Sequence, residues 1–552
     1  KRVGDLVWSS TPGVGPPFLK DSSFSTPVLA SRHGRRVFYA GTGCGNVVCV
    51  DARTGDPIWR FQLTRGGINS SVVLYQDSII AIHGKENLDS TSVGRMVALQ
   101  PDPRVEASQT RVVLDPSAER WRNALSIFTS SPVLVGQRVY QCTATGDLGC
   151  IDVESGQVLW KQKLGPDQLH ASPLAADGKL YVPIHNGLFY ILRPSDSGAE
   201  ILNKVRLEGS CLGAPAVWNG NVYVHTTSKL YCFRSEGRGN TVAHKAPDED
   251  STPTDKATRL QVVPSEILMR PDGRIAFTLR ALDAQGQFVR SLGDAFWSPY
   301  IPPKAKLRAK LDAQFDPQGQ LVAATDAKRS AGAFEASLGN LKGYLRGRIL
   351  PSPPYAEDFE SFPLKHHRKD GTPFAYPPLP WIGARFKWEV RAVDGNRVLV
   401  KTLDRVLFQR SMIFMGHADD HNYTITADVM SDGNRHGQST VGLINQRYII
   451  SLVGNAQILE VSSNHNRVKV SVPLRWKPKI WYRLKTRVDV ARDGSGVIRA
   501  KAWQRDYQEP SHWAIKVPHK RAHKNGSPGI FGFAPQIRFA VYVDNVSVTP
   551  NE

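Results

Sequence analysis

The chain has 552 residues, 41% hydrophobic and 22% charged, and carries a formal net charge of +20. This length predicts more than one domain, and the hydrophobic content is typical of folded rather than disordered chains. No run of about 20 apolar residues occurs, so we predict no membrane-spanning helix. The basic residues are spread along the chain without a helix-turn-helix, zinc-finger or aromatic RNA-binding signature, which argues against a nucleic-acid partner.

A β-rich unit recurs along the first part of the chain. A complete copy has a strand, a Gly-Asn or Gly-Asp turn, a short strand ending in Asp, a Thr-Gly or Ser-Gly turn, and a strand that carries Trp. The clear copies occupy residues 37–59 and 139–160, and weaker copies occupy residues 78–99, 179–192 and 221–233. One such unit cannot bury its apolar face alone, so the repetition predicts stacked sheets arranged as a β-propeller.

We predict about five four-stranded blades in residues 1–236. The fifth copy ends before its Trp-bearing strand, and residues 5–8 supply a strand of that type at the start of the chain. An N-terminal strand that completes the last blade closes the ring and protects its edges. Further blades before Lys1 are the alternative interpretation.

The repeat also predicts the roles of single residues. Asp51 begins a turn that Gly55 completes, because Asp can bond its own backbone two residues on and Gly tolerates positive φ. Trp8, Trp59 and Trp160 occupy matching positions. We expect these three rings to pack between neighbouring blades rather than to bind a ligand.

These units resemble the PQQ-type repeat, the blade unit of bacterial quinoprotein alcohol dehydrogenases and of an outer-membrane assembly lipoprotein. The resemblance covers residues 4–236 and implies the propeller fold. The dehydrogenases are expected to carry an adjacent Cys pair, a calcium cluster and an Asp base. This sequence has no adjacent Cys pair and no recognisable calcium constellation. A C-x-x-C-H haem motif is also absent from the sequence. We therefore predict that the chain binds no redox cofactor.

All six cysteines lie in the predicted propeller: Cys44, Cys49, Cys142, Cys150, Cys211 and Cys232. Cys49, Cys150 and Cys232 share one position of the repeat, where Ala98 stands in another copy. A position that accepts Cys or Ala predicts a buried, unreactive thiol. Disulfides that involve Cys44, Cys142 or Cys211 are the alternative in an oxidising compartment.

Two further domains are predicted after a polar, Pro-containing linker at residues 237–257. Residues 258–350 alternate apolar and polar side chains and resemble bacterial Ig-like domains, which implies a spacer or adhesion module. Residues 355–552 contain evenly spaced alternating strands and resemble concanavalin A-like jelly rolls of the laminin-G and sugar-binding kind. The fold class is therefore all-β: a propeller, an Ig-like sandwich and a jelly-roll sandwich.

The last domain contains several polar clusters that we weighed as sites. Glycosidases with this fold need paired carboxylates; Asp358 and Glu360 are predicted to share one face of the first strand, and Asp544 recurs in the last strand. We interpret all three as structural acids. The basic runs at residues 365–369 and 519–524 are interpreted as solvated loops rather than as a docking patch for anions.

Two His and two Asp within five residues form the one weak metal candidate: His417, Asp419, Asp420 and His421. Asp oxygens are ligands that Ca²⁺ prefers. A polar hairpin loop needs the same residue types, so we predict no metal site, with Ca²⁺ as the alternative.

The sequence favours a non-enzymatic binding or scaffold protein of the cell envelope that mediates protein assembly or glycan attachment. The first residues, Lys1 to Gly4, lack a signal-peptide core and indicate a mature chain. We therefore expect a periplasmic, outer-membrane-associated or secreted location, with protein partners and polysaccharide as a second partner class. A PQQ-dependent dehydrogenase and a carbohydrate-active enzyme in the last domain are the alternative functions.

Overall fold

A computed structural model describes most of the chain. The described residues are 4–13, 24–107, 111–168, 170–234, 254–303, 305, 307–385, 387–402, 408–434, 436–463, 468–535 and 539–551. Residues 237–253 of the predicted linker lie outside them. Two compact units result: a propeller unit of Trp8–Arg259 with Leu282–Arg290, and a sandwich unit of Lys1–Val7, Leu260–Ala281 and Ser291–Glu552. Within the described residues, no helix is both long and apolar enough to cross a membrane.

The propeller unit contains five sheets, numbered here as blades 1 to 5 in chain order. The strands of blade 1 are Val28–Arg32, Arg35–Gly41, Asn46–Asp51 and Pro57–Gln62, with Val112–Val113 added beside the last of them. The strands of blade 2 are Val73–Tyr75, Ser78–Glu86, Val93–Leu99 and Glu119–Asn123. The strands of blade 3 are Val133–Val135, Arg138–Cys142, Asp147–Asp152 and Val158–Lys163. The strands of blade 4 are Leu174–Ala176, Lys179–Pro183, Leu188–Pro194 and Ala199–Arg206. The strands of blade 5 are Ala216–Trp218, Asn221–His225 and Leu230–Arg234. A short helix, Pro103–Ala107, and a 3-10 turn, Pro116–Ala118, interrupt blade 2.

The prediction of a closing N-terminal strand is wrong for the described residues. Blade 5 has three strands, and residues 4–11 form no strand. The carbonyl oxygen of Leu6 accepts the backbone N–H of Ser265 at 2.8 Å, so this segment is bonded within the sandwich unit. The Leu6 carbonyl oxygen, which a strand of blade 5 would use for pairing, therefore already accepts a hydrogen bond from Ser265.

The predicted turns form as the repeat requires. Asp51 Oδ1 accepts the backbone N–H groups of Arg53 and Thr54 at 2.9 Å each. Gly55 completes the turn with φ of +76°. The register also aligns the three repeat cysteines, because Cys49, Cys150 and Cys232 each lie opposite a Tyr of the neighbouring strand.

The middle part of the chain, residues 258–350, forms three small sheets. The first sheet contains Arg259–Val263, Thr278–Leu282 and Phe288–Leu292. The second contains, in order, Glu266–Met269, Leu341–Ile349, Ser330–Leu338 and Phe296–Tyr300. The third contains Arg274–Ile275, Leu321–Val322 and Gln314–Phe315. A cluster that includes Leu279, Phe334 and Leu345 forms their core. The Ig-like assignment of this region stays a prediction.

The C-terminal sandwich, residues 355–551, has two large sheets that share one core. The eight-stranded sheet contains Trp388–Val393, Asn396–Lys401, Val541–Pro550, Tyr423–Ser431, Tyr482–Val490, Gly496–Gln504 and Ile515–His519, with Tyr355–Glu357 beside Val541–Pro550. The six-stranded sheet contains, in order, Phe408–Phe414, Gly529–Pro535, Thr440–Asn445, Tyr448–Val453, Ile458–Ser463 and Val468–Pro473. Two short hairpins, His366–His367 with Pro373–Phe374 and Gly433–Asn434 with Gly437–Gln438, complete the strands. The jelly-roll assignment stays a prediction, although a two-layer sandwich is observed.

Trp388 lies fully buried between the two sheets of the C-terminal sandwich. Its Nε1–H donates to Ser411 Oγ at 2.8 Å, which satisfies the one polar group of the ring. Gly532 leaves room for the ring, because a Cβ at this position would lie 2.9 Å from Trp388. The two sheets are therefore closely packed around Trp388.

Candidate functional sites: blade contacts and an outer cleft

Tryptophans of the propeller join one blade to the next. Trp121 Nε1–H, on the last strand of blade 2, donates to Val153 O in a turn of blade 3 at 2.9 Å. Trp160 makes the same kind of bond to Ser195 O at 3.1 Å, from blade 3 to blade 4. Trp8 donates to Ala52 O of blade 1 at 3.1 Å, so it occupies the position of a Trp from a preceding blade.

Trp59 uses a different acceptor. Its Nε1–H donates to Glu106 Oε1 at 3.1 Å, and Tyr39 Oη–H donates to the same oxygen at 2.8 Å. Glu106 lies on the helix Pro103–Ala107, in the insertion that separates the strands of blade 2, and is buried. Burial first of all, with added repulsion from nearby acidic groups, raises the pKa of Tyr39 far above its usual range. A buried carboxylate therefore replaces the turn carbonyl that the other Trp side chains use.

Sequence reasoning missed Trp121, because the insertion before it hides the repeat spacing. The local pattern was available nonetheless: Trp121 lies opposite Ala98, just as Trp59 lies opposite Cys49. The small side chain at this central position lets the rings of the flanking strands approach each other. In blade 1 the Tyr39 and Trp59 ring centroids are 5.8 Å apart.

Replacement of Gly156 by Ala is expected to destabilise the propeller unit. Gly156 has φ of +73°, and an added Cβ would lie 2.4 Å from the Trp121 ring. Strain at positive φ costs about 1–2 kcal/mol, and displacement of the ring adds about 1–3 kcal/mol. Gly136→Ala is the matched control, because Gly136 also has positive φ but has open space around it. Equal melting temperatures of the two variants would contradict the packing argument.

A hydroxyl ladder connects the innermost strands of blades 1 to 4, and sequence reasoning did not find it. The Thr26 N–H donates to Ser71 Oγ at 3.1 Å, and the Ser71 N–H donates to Ser131 Oγ at 2.9 Å. The Ser131 N–H then donates to Ser172 Oγ at 2.8 Å. The signal is a Ser or Thr two residues before the first strand of each blade. Blade 5 has Ala214 at this position, so its side chain cannot continue the ladder.

Each of blades 1 to 4 packs one face of its sheet on the next blade in the chain. The corresponding face of blade 5 is exposed. Trp218 is 70% exposed and Leu230 is 68% exposed. Cys232 is also exposed, whereas Cys49 and Cys150 are buried. The prediction of a buried thiol is therefore wrong for Cys232, because no described blade covers its row.

All six cysteines carry free thiols, so the disulfide alternative is not observed. Burial is the main cause that raises the pKa of Cys49 and of Cys150. Burial also raises the pKa of Cys142 to about 12. These thiols remain protonated and unreactive near neutral pH.

The C-terminal sandwich carries a cleft of about 540 Å³ on the outer face of its six-stranded sheet. Three cross-strand rows of side chains form its floor. The rows are Arg410, Phe533 and Thr440; Phe531, Gly442, Ser451 and Glu460; and Ile449, Ser462 and Lys469. The middle row passes through Gly442, which has no side chain to fill the cleft. An elongated polar groove with an aromatic end results.

The charged groups of the cleft lie toward its two ends. Lys469 Nζ is 3.7 Å from Glu460 Oε2 at one end. At the other end the guanidinium of Arg410 lies over the Phe531 ring, 5.9 Å from its centroid. Glu460 is the one carboxylate among the described residues that line the cleft. Polar hydroxyls and flat rings in this arrangement suit a polyhydroxylated ligand.

The loop with His417, Asp419, Asp420 and His421 is held by an arginine. Arg270 donates to Asp419 Oδ1 at 2.6 Å and to Asp420 Oδ1 at 2.9 Å. His417 Nε2 lies 3.0 Å from the carbonyl oxygen of Leu350, and His421 Nδ1 lies 3.0 Å from the carbonyl oxygen of Asp419. In the part of the chain that the structure describes, no three His, Cys, Asp or Glu side chains are grouped to hold a metal ion.

Millimolar Ca²⁺ is expected to leave the melting temperature of the protein unchanged. The Asp419 and Asp420 carboxylates already bond a guanidinium, which a cation would have to displace. Differential scanning calorimetry with and without chelator measures the effect. Arg270→Ala is the informative variant, because it frees both carboxylates. A Ca²⁺-dependent rise in the wild-type protein would support the calcium alternative.

The acidic pair and the second basic run differ in detail from the predictions. The first strand ends at Glu357, so Asp358 and Glu360 lie in the following turn and not on one strand face, contrary to prediction. The interpretation of residues 519–524 as a solvated loop is wrong in part. His523 is buried there, with Nε2 2.8 Å from Ser463 Oγ, because its ring packs on Tyr448.

The basic run at residues 365–369 contributes to a folded hairpin rather than to a free patch. Arg368 donates to both carboxylate oxygens of Glu389, at 2.9 and 3.0 Å. The His366 ring packs against Phe374 and Tyr376. The local positive charge is therefore partly compensated.

Comparison with known proteins points to one family for the propeller repeats. Residues 1–102 and 108–196 match the PQQ-type repeat family described as "Outer membrane protein assembly factor BamB". Proteins of that name from Burkholderia pseudomallei, Escherichia coli and Yersinia pestis are 34%, 26% and 29% identical over 100, 168 and 280 residues. These matches cover 18%, 30% and 41% of this chain and 25%, 36% and 68% of the relatives. This chain thus spans about a quarter to a third of the first two.

A solved structure of BamB from Moraxella catarrhalis is also similar. It aligns at a TM-score of 0.29 and 15% identity, over 58% of this chain and 85% of that chain. The matched residues end at position 196, between the strands Leu188–Pro194 and Ala199–Arg206 of blade 4. The family match therefore concerns the propeller unit.

Proposed function

We propose that this protein is a non-enzymatic binding protein of the cell envelope whose propeller serves protein assembly. The observation that carries the proposal is the match of residues 1–102 and 108–196 to a family named for outer-membrane protein assembly. Stacked blades give a rigid surface for protein partners. The Trp and hydroxyl contacts between blades stabilise that surface rather than create a reactive centre.

The proposal is tested by crosslinking the tagged full chain in the envelope fraction of its source organism and identifying captured proteins by mass spectrometry. Outer-membrane proteins or their assembly partners are the expected capture. Trp59→Ala, which disrupts the propeller and leaves the sandwich sequence intact, should lose them. Capture of the same proteins by this variant would assign the interaction to the sandwich unit and contradict the proposal.

A second function, glycan attachment, is favoured by the cleft on the six-stranded sheet. Its polar floor, with Phe531 and Phe533 at one end, offers hydrogen bonds to hydroxyl groups and a flat surface for sugar rings. Hydrolysis of a glycoside takes two carboxylates in most enzymes, and Glu460 supplies one. Binding without turnover is the function we assign to this cleft.

Glycan attachment is tested by titrating the protein with soluble polysaccharides in isothermal calorimetry, followed by analysis for released reducing ends. Saturable heat without released ends is the expected result. Release of reducing ends that Glu460→Gln abolishes would instead support a carbohydrate-active enzyme. The dehydrogenase alternative predicts dye reduction when PQQ and Ca²⁺ are added, and we expect none.

A further inference from the structure

We infer that the cleft prefers an acidic polysaccharide, with an anionic group of one sugar held by Arg410. This inference rests on the proposed glycan attachment and adds the chemical class of the ligand. It follows from the distribution of charge along the cleft and from the length of its floor.

Arg410 supplies the positive charge of the aromatic end. The guanidinium is exposed and lies over Phe531, and Phe533 is its cross-strand partner. Among the residues that the structure describes, no carboxylate pairs with this guanidinium. Lys387 Nζ lies 3.3 Å from the backbone carbonyl oxygen of Arg410, so a second positive charge lies beside this edge strand. An anion bound here would form charge-assisted hydrogen bonds without displacing an existing partner.

The opposite end of the cleft is nearly neutral. Glu460 is largely buried, with 14% of its side chain exposed, and it pairs with Lys469. The Ser462 side chain lies beside this pair, as the cross-strand partner of Lys469. A paired acid and base with an adjacent hydroxyl can recognise sugar hydroxyl groups but offers no free positive charge. One ligand is therefore bound as an anion at one end and through hydroxyl groups at the other.

The floor is long enough for a polymer rather than a single sugar. Arg410 and Lys469 lie on the two edge strands of the six-stranded sheet. Six strands spaced about 4.8 Å apart place these edges about 24 Å apart. Gly442 keeps the middle of the floor low, between Phe531 and Ser451. A chain of linked sugars lying across the strands matches this shape, since each unit meets a different strand.

The experiment compares polygalacturonate with its fully methyl-esterified form, which has the same sugar backbone without the charge. Isothermal calorimetry with the full chain should give at least about tenfold tighter binding of the charged form at low salt. Dextran sulfate against dextran distinguishes a sulfate from a carboxylate as the anion. Polyglutamate is the third arm, because an acidic protein would present carboxylates without sugar rings.

Arg410→Gln should lower affinity for polygalacturonate about tenfold and leave affinity for the methyl ester unchanged. Arg505→Gln is the matched control, because Arg505 also lies over an aromatic ring, that of Trp481, but outside the cleft. Circular dichroism and melting temperature establish that each variant is folded. Arg410→Lys should retain part of the preference for the charged polymer.

Each outcome has a distinct meaning. Equal affinity for the charged and esterified polymers overturns the acidic preference and leaves glycan attachment standing. Absence of binding to every polysaccharide overturns both. Binding of polyglutamate as tight as that of polygalacturonate, with the same loss in Arg410→Gln, assigns the cleft to an acidic protein and overturns the inference.

Discussion

Replacement of Trp59 by Ala is expected to lower the free energy of unfolding of the propeller unit by about 3–5 kcal/mol. The ring is fully buried between blades 1 and 2, and its loss leaves a cavity. The buried Glu106 carboxylate would also lose one of its two hydrogen-bond donors. Loss of this donor adds to the cost, because the Tyr39 hydroxyl alone then offsets the desolvation of the carboxylate.

Calorimetry and urea unfolding of the full chain measure this effect. Trp218→Ala is the control, since this Trp belongs to the same unit but is mostly exposed, and its removal should cost less than about 0.5 kcal/mol. Trp59→Phe keeps most of the volume but loses the N–H donor and part of the bicyclic ring, so its cost should fall between the two. Equal stability of Trp59→Ala and Trp218→Ala would show that the inter-blade contact contributes little.

Asp544 is expected to make the sandwich unit less stable as the pH rises from about 4 to about 7. Burial is the main cause that raises the pKa of Asp544 to about 6, and the nearby Asp428 and Glu360 carboxylates raise it further. The folded state then holds a proton that the unfolded chain has released, so stability falls through this window. The loss approaches about 3 kcal/mol, because a pKa of about 6 in place of the ordinary Asp value corresponds to 1.36 kcal/mol for each pH unit between them.

Asp544→Asn should remove this pH dependence and stabilise the sandwich unit at pH 8. In the wild-type protein the Asn545 backbone N–H donates to Asp544 Oδ1 at 2.8 Å. The side-chain oxygen of Asn at position 544 can accept the same hydrogen bond. Asp428→Asn is the contrasting variant, because Asp428 accepts two hydrogen bonds from Arg483, and it should destabilise the protein at neutral pH. Calorimetric scans from pH 4 to 8 measure both. A wild-type curve that rises toward pH 7 in this transition would contradict the assignment.

The repeat made much of the propeller predictable. Local turn chemistry at Asp51 and Gly55 and a fixed Trp position are properties of short segments, so they are visible in sequence. Glu106 was not predictable in the same way, because an inserted helix brings it to Trp59 from outside the repeat. Closure by residues 5–8 was predicted from spacing alone, which carries no information on the competing bond between Leu6 and Ser265.

The cleft, in contrast to the repeat, could not be predicted from the sequence. Alternation predicted a two-sheet sandwich, which the structure contains. Arg410, Gly442 and Glu460 come from three different strands, and only the strand order and register bring them to one surface. Neither property can be read from one sequence, since strands separated by long stretches of chain pair according to tertiary packing.

The end of the hydroxyl ladder at Ala214 has a consequence for how the propeller opens. Aromatic side chains pack blade 5 on blade 4, as the Phe189 and Phe233 rings do at 5.6 Å, and the Glu208 N–H donates to Tyr231 Oη at 2.9 Å. A terminal element with fewer backbone anchors exchanges its amide hydrogens through local opening before the rest of the domain unfolds. We expect the strands from Ala216 to Arg234 to exchange earlier than those of blades 1 to 4, and a partner that covers them to slow their hydrogen exchange selectively.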